Sequence, residues 1–169
     1  MIKGIFNAFI GVPTVALGLY LYLLLSRTGP LGYFHLLYTP NAIIIGQCIL
    51  VTPIIVSFTT STLEAVDPDV RTLAKTLGAS RFQSVVVVLR EGLWGVVLAI
   101  LAAFNRAFAE LGIALMLGGN IRSFTRVLTT AIALQTAMGE IALSIALSII
   151  LMSIVITLSV VVNLARRTS

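Results

Sequence analysis

From Ile141 to Leu164 the chain carries no charged residue over more than 20 positions. A helix rises about 1.5 Å per residue and a bilayer core is about 30 Å thick, so a segment of this length reads as a transmembrane helix. Arg166 and Arg167 follow it as a stop. Along it, Ser144, Ser148, Ser153 and Ser159, with Ala142 and Ala146, are small side chains that suit close helix–helix packing. The rest of the composition agrees with a membrane environment. Of the 169 residues, 59% are hydrophobic and only 10% are charged. That excludes an ordinary soluble domain and predicts one polytopic domain over residues 1–169, surrounded by lipid.

Three further spans are predicted, giving an all-α integral membrane protein of about four transmembrane helices. The first runs roughly from Ile5 to Leu25, with a kink expected near Phe9 to Val12 ahead of Pro13. Tyr20 and Tyr22 lie toward its far end, in keeping with an aromatic belt. A loop from Ser26 to Thr39 is marked by Gly29-Pro30 and Gly32. Thr39 as N-cap and Pro40 in the first turn open a second span, about Ala42 to Phe58, which Pro53 interrupts. Its Gln47 and Thr52 are expected to face protein rather than lipid. The third span, about Leu93 to Leu117, contains Arg106 and Glu110, four apart on one helix face and able to pair. Arg106 lies about 20 Å along this helix, past the middle of the core. Charge at that depth marks either a structural ion pair or a translocation path. Gly118-Gly119-Asn120 then forms a turn, and Arg122 and Arg126 follow in a polar connection. The segment from Val127 to Met138 is apolar but too short to span, so an interfacial or re-entrant helix is expected.

The polar stretch from Asp67 to Glu91 reads as two short helices hinged at one glycine. Asp67 is an N-cap and Pro68 takes the first helical position, where a missing N–H costs nothing. Val70, Leu73, Ala74 and Leu77 form one apolar stripe, opposite Asp69, Arg71, Thr72, Lys75 and Thr76. Gly78 is placed as the left-handed residue that ends a helix. Ser80 and Gln83 form a capping box that starts the next one. That second helix has its own stripe, Phe82, Val85, Val86 and Leu89, although the run from Val85 to Val88 is unfavourable for helix. Taken alone, the stretch is also compatible with an amphipathic pair on the membrane surface.

The net charge of +5 does not point to nucleic acid, because the basic residues cluster at segment ends. Lys3, Arg71, Lys75, Arg81, Arg90, Arg166 and Arg167 fall on one side of a four-span topology, and Arg27, Arg122 and Arg126 on the other. This distribution places Asp67 to Glu91 and both termini in the cytoplasm. Cys48 is the only cysteine and lies in an apolar segment, so no disulfide framework or cysteine metal site is available. His35 is the only histidine and sits in a loop beside aromatics. There is no phosphate-binding glycine loop, hence no ATP hydrolysis by this chain itself. No catalytic constellation and no metal site are expected.

The helix–Gly–helix resembles the cytoplasmic coupling loop of ATP-binding-cassette (ABC) importer permeases. Their pattern is E-A-A, three residues, G, nine residues, I, any residue, L-P. Here Thr72, Leu73 and Ala74 replace E-A-A, Gly78 is the glycine, Val88 stands for the isoleucine, and Arg90 and Glu91 replace L-P. Ala74, Leu77, Gly78, Ala79, Ser80 and Gln83 fit the pattern. The stretches from Ala107 to Gly112, from Leu117 to Ile121 and from Thr125 to Ile132 are similar to the oxyanion branch, which imports molybdate, sulfate or tungstate. Leu24 to Gly32 fits the same branch. The doubled glycine Gly118-Gly119 before Asn120 and the Leu89-Arg90-Glu91 ending point to the tungstate-type subgroup. Members usually carry about two spans ahead of the one that begins here. The resemblance therefore puts Met1 just before the third span, through either a late start or a shortened permease.

The resemblance implies the following assembly. Two permease copies pair around a central path. A cytoplasmic ATPase subunit, which binds the ATP and magnesium, grips the coupling helices. An extracytoplasmic oxyanion-binding protein delivers the anion across the bacterial or archaeal inner membrane. Path candidates are Arg106, Glu110, Gly118, Gly119, Asn120, Arg122 and Arg126, with Arg122 and Arg126 at the outer mouth. A stand-alone channel or secondary transporter would not need the cytoplasmic helix pair, and the paired repeats of many secondary transporters are not evident. A membrane enzyme would need clustered histidines, cysteines or carboxylates within the spans.

Overall fold

Thr39 opens the helix on which several of the others pack. Its Oγ1 accepts the Ala42 N–H at 3.4 Å, and Pro40 occupies the first turn of α3, Pro40–Glu64. The structure, a computed structural model, describes the backbone of residues 2–168 and the side chains of residues 4–165. Lys3, Arg166 and Arg167, used above for topology, lie outside the described side chains. All regular elements among the described residues are helical: α1 Ile2–Ile10, α2 Thr14–Leu25, α3, α4 Pro68–Thr76, α5 Arg81–Glu91, α6 Leu93–Phe108, α7 Gly112–Gly118, α8 Leu128–Ala137 and α9 Ile141–Thr168, with a 3-10 turn at Gly32–Phe34.

Pro53 does not interrupt α3 as expected; the helix runs through it. Proline removes one ladder hydrogen bond, and in a membrane span packed neighbours can compensate for that loss. Pro53 is buried against them. Thr52 also departs from expectation. It is exposed and donates its hydroxyl to the Cys48 carbonyl at 2.7 Å, so it is satisfied within its own helix. Gln47 does face protein: its Nε2 donates to the Ala107 carbonyl of α6 at 3.2 Å.

The kink expected before Pro13 is a full corner. Helices α1 and α2 meet at 97°. Pro13 is the N-cap of α2 in an extended conformation, so the chain restarts rather than bends. Helix α1 then packs on α3, and α2 packs on α7.

The continuous span predicted from Leu93 to Leu117 is corrected. Helix α6 stops at Phe108, and a separate short helix, α7, begins at Gly112. The chain instead joins α5 to α6 as a bent pair at 62°. Helices α3 and α9 are each long and apolar enough to cross a membrane alone. Counting each bent pair as one span, α1 with α2 and α5 with α6, gives up to 4. The four-span expectation agrees with this upper count, with α6 as the body of the third span and α7 outside it.

The core cluster lies where α2, α3 and α7 meet, at Leu21, Leu25, Ala42, Leu50, Ile113 and Leu117. Gly46 of α3 makes this approach possible. A Cβ there would stand 2.5 Å from Ile113 Cγ2 and 2.7 Å from Leu117 Cδ1. Gly46→Val should therefore push α7 off α3 and cost about 1–3 kcal/mol through overpacking. Thermal unfolding of the purified protein reads this, and an unchanged midpoint would show that the α3–α7 contact is not tight.

Helices α8 and α9 form a hairpin tied by the Thr136 hydroxyl donating to Ser144 Oγ at 3.0 Å. Farther along α9, Asn105 Nδ2 of α6 donates to Ser159 Oγ at 3.0 Å. Ser144 and Ser159 thus serve helix packing as predicted, whereas Ser153, Ala142 and Ala146 are exposed.

Candidate functional site

The helix pair α4–α5 is built as the residues dictate. Asp67 Oδ1 accepts the Asp69 N–H at 2.9 Å. At the other end of α4, the Gly78 N–H donates to the Lys75 carbonyl and the Ala79 N–H to the Ala74 carbonyl, both at 3.0 Å. This crossed pattern is a Schellman motif, which needs a left-handed residue at its turn. Gly78 supplies it with φ of +85°. Ser80 and Gln83 then cap α5 reciprocally, with Gln83 N–H to Ser80 Oγ at 3.2 Å and Ser80 N–H to Gln83 Oε1 at 2.8 Å. The valine run is helical despite its propensity, because it follows a formed cap.

The predicted stripe on α4 divides. Ala74 is buried and Val70 half-buried, while Leu73 and Leu77 point outward. Leu77 is 80% exposed and Phe82, on α5, 78%. Val85 and Leu89 are exposed as well, so both helices present apolar side chains at the surface. Between α4, α5 and the end of α3 lies a cavity of about 460 Å³, with Asp67, Arg71 and Lys75 among its lining residues.

The break between α6 and α7 is held by Glu110. Its Oε2 receives Arg106 Nη1 at 2.9 Å, and its Oε1 receives the Ile113 N–H at the start of α7 at 3.2 Å. The pair predicted at this spacing exists, but Glu110 lies beyond the end of α6 rather than on its face. The Glu110 side chain is 2% exposed and that of Arg106 40%. The Glu110 carbonyl also accepts the Thr129 hydroxyl of α8 at 2.9 Å. One residue therefore ties α6, α7 and α8 together. Small cavities flank it, of about 260 Å³ on the α8 side and about 390 Å³ on the α2 side.

After α7, Gly119 and Asn120 both adopt positive φ, +68° and +52°. Arg126 is fastened to this turn, with Nε donating to Asn120 Oδ1 at 3.0 Å and Nη2 to the Asn120 carbonyl at 3.3 Å. Thr125, buried, donates its hydroxyl to the Gly118 carbonyl and accepts the Ile121 N–H at 3.0 Å. Arg122 is exposed and makes no hydrogen bond or ion pair among the described residues. Of the path candidates, the structure brings Gly118, Gly119, Asn120 and Arg126 together in one turn. Arg106 and Glu110 form a separate node at the other end of α7.

The two groups of polar features lie at opposite ends of α3, whose 25 residues cover about 37 Å. At its start, the Tyr38 N–H donates to the Leu117 carbonyl at 2.8 Å, beside the Gly118-Gly119 turn. At its end, Thr62 and Leu63 pack on Gly92 and Gly95, where α5 passes into α6. Residues that the sequence reading did not single out complete the site: Thr125 and Thr129, and Tyr38. Their signal, a hydroxyl beside a chain break, is common enough to be invisible without the fold.

A bundle of apolar helices with a capped polar helix pair at one end and a cationic turn at the other defines an integral membrane protein. The chain belongs to the family of binding-protein-dependent transport system inner membrane components, which it matches over residues 1–169. It is 42% identical over 146 residues to the probable anion ABC transporter permease protein of Haloferax volcanii, covering 83% of this chain and 63% of that one. It is 37% identical over 145 residues to the tungstate uptake system permease protein TupB of Peptoclostridium acidaminophilum, covering 86% and 64%. The TupB protein of Campylobacter jejuni is 38% identical over 167 residues, covering 99% and 70%. The chain thus spans a little under two thirds of the first two relatives.

Proposed function

We propose that this chain is the membrane-spanning permease subunit of an ATP-driven importer for a tetrahedral oxyanion, with tungstate as the preferred cargo. The observation that carries this is the α4–α5 pair. Its two helices are fixed in register by a Schellman turn and a capping box, and they hold Leu77 and Phe82 out to solvent at one end of α3. A rigid apolar surface of this kind suits a partner that pushes on the helices behind it. A cytoplasmic ATPase subunit would grip it and bind the ATP and magnesium. Helix α5 passes into α6 through the 62° bend at Gly92, so a displacement there reaches the Arg106–Glu110 node and α7. An extracytoplasmic oxyanion-binding protein and a second permease copy complete the assembly in a prokaryotic cytoplasmic membrane. The oxyanion choice rests on the relatives named for tungstate and on the cationic end at Arg122 and Arg126, since a passing dianion needs donors that hold it only weakly.

The orientation follows from the basic residues, with α4–α5 and both termini in the cytoplasm. Cysteines introduced at Arg71 and Arg122 should label from opposite sides of the membrane; labelling from one side would refute the topology. The function is tested by reconstituting the permease with its ATPase and binding protein. ATP-dependent uptake of labelled tungstate is expected, with molybdate and sulfate taken up less well. Absence of uptake for all three anions would overturn the proposal.

A further inference from the structure

At the end of the bundle away from α4–α5, the loop between α2 and α3 lines a half-open cavity of about 480 Å³. Its polar lining is Tyr22, Ser26, Arg27, Thr28, His35 and Tyr38. Every one of these side chains can donate a hydrogen bond, and none is a carboxylate. The 6 acidic residues of the chain lie elsewhere. Glu64, Asp67, Asp69 and Glu91 surround the helix pair, Glu110 is bonded to Arg106, and Glu140 is in the α8–α9 turn. Arg27 is exposed and makes no ion pair or hydrogen bond among the described residues, so its guanidinium is available.

The loop is wound rather than open. The Gly29 N–H donates to the Ser26 carbonyl at 2.8 Å, Leu31 N–H to Leu24 at 3.0 Å and Gly32 N–H to Gly29 at 3.1 Å. Ser26 Oγ and Thr28 Oγ1 stand 3.4 Å apart. Ser26 already gives its proton to the Leu23 carbonyl at 3.0 Å, so Thr28 is the donor in the long contact between the two hydroxyls, one it can exchange for a ligand oxygen. Tyr22 and Tyr38 stand with ring centroids 6.3 Å apart. A hydrogen bond with the Tyr22 side chain, in which Tyr38 is the donor, and then burial raise the Tyr38 phenol above its ordinary value, so Tyr38 stays neutral. Tyr38 also connects the cavity to α7. Its N–H reaches Leu117, and its ring covers Gly119 so closely that a Cβ there would stand 2.7 Å from Cδ1.

We propose that this cavity is an anion-receiving site, with Arg27 as the charge that holds a tetrahedral oxyanion or a phosphate group and Thr28 and Tyr22 as neutral donors around it. A planar guanidinium and hydroxyls placed about one anion match the geometry of its oxygens. The site rests on the anion-importer reading for its cargo, and its position beside Gly119 places it ahead of the Gly118–Arg126 turn.

The test uses the reconstituted complex in nanodiscs of zwitterionic phosphatidylcholine, titrated calorimetrically with inorganic tungstate and with sulfate. Arg27→Ala should weaken binding at least tenfold, Arg27→Lys should restore part of it, and Thr28→Val should weaken it severalfold with an unchanged unfolding midpoint. A second arm adds anionic phosphatidylglycerol and counts retained lipids by native mass spectrometry. Loss of anionic lipid in Arg27→Ala with unchanged tungstate affinity would assign the site to headgroup phosphate. Unchanged oxyanion affinity and unchanged lipid retention in all three variants would overturn it, even if Arg27→Ala weakened docking of the binding protein. Intact uptake without Arg27-dependent binding removes this site alone. Arg27-dependent binding without any uptake removes the importer reading and leaves the site.

Discussion

Arg106→Ala is expected to lower the unfolding free energy by about 2 kcal/mol. Breaking a fully buried pair costs about 3–5 kcal/mol, because the surviving partner keeps an uncompensated charge in apolar surroundings. The figure is reduced here because Arg106 is 40% exposed, while Glu110, left behind, is 2% exposed. Glu110→Ala acts differently. It removes the anion, leaves a half-exposed guanidinium and takes an acceptor from the Ile113 N–H, a cap worth about 1 kcal/mol. The double variant should then fall short of the sum of the two by about 1–2 kcal/mol, as contacting charges do in a double-mutant cycle. Thermal unfolding of the four proteins in one detergent measures this, and strict additivity would sink the pairing. Glu110→Gln is the informative companion, since its amide oxygen still accepts from Ile113 and only the charge is lost. Loss of transport in Arg106→Ala at normal stability would move Arg106 from a structural to a pathway role.

The elements that could be read from sequence are those whose causes lie within one turn. Thr39 with Pro40, Asp67 with Pro68, Gly78, and Ser80 with Gln83 each satisfy orphan backbone groups locally, and each stands where expected. The break between α6 and α7 combines the local Glu110 bonds to Arg106 and Ile113 with bonds from far away. The Ala107 carbonyl near the end of α6 is taken by Gln47, 60 positions earlier. The Glu110 carbonyl in the break is taken by Thr129, 19 positions later. Nothing between Leu93 and Leu117 announces those partners, and the apolar period there reads as one helix. Pro53 misleads in the opposite sense, since the signal is strong and local but the packing of α3 overrides it. The Arg106–Glu110 spacing is informative although no single helix carries both residues, because i and i+4 also meet across a capped break.

Gly78→Val is expected to leave the apolar helices inserted while weakening ATPase association and uncoupling transport. Within this chain the substitution meets no obstacle, because nothing stands within 4 Å of an added Cβ. The cost is in the backbone. At φ of +85° a β-branched residue is disfavoured, by roughly 1–2 kcal/mol on the left-handed penalty. That is comparable to what the two Schellman hydrogen bonds contribute, at about 1 kcal/mol each. The turn should therefore open, and α4 and α5 lose the relative placement that keeps Leu77 and Phe82 outward together. Gly78→Asn separates this cause from steric obstruction of a partner, because asparagine tolerates the left-handed region while still adding a side chain. If backbone strain is what matters, Asn retains most ATPase co-purification and Val loses it. If the partner must approach the glycine closely, both lose it. Wild-type ATPase binding and uptake in Gly78→Val would remove the coupling role from this turn and leave α4–α5 as a surface helix pair.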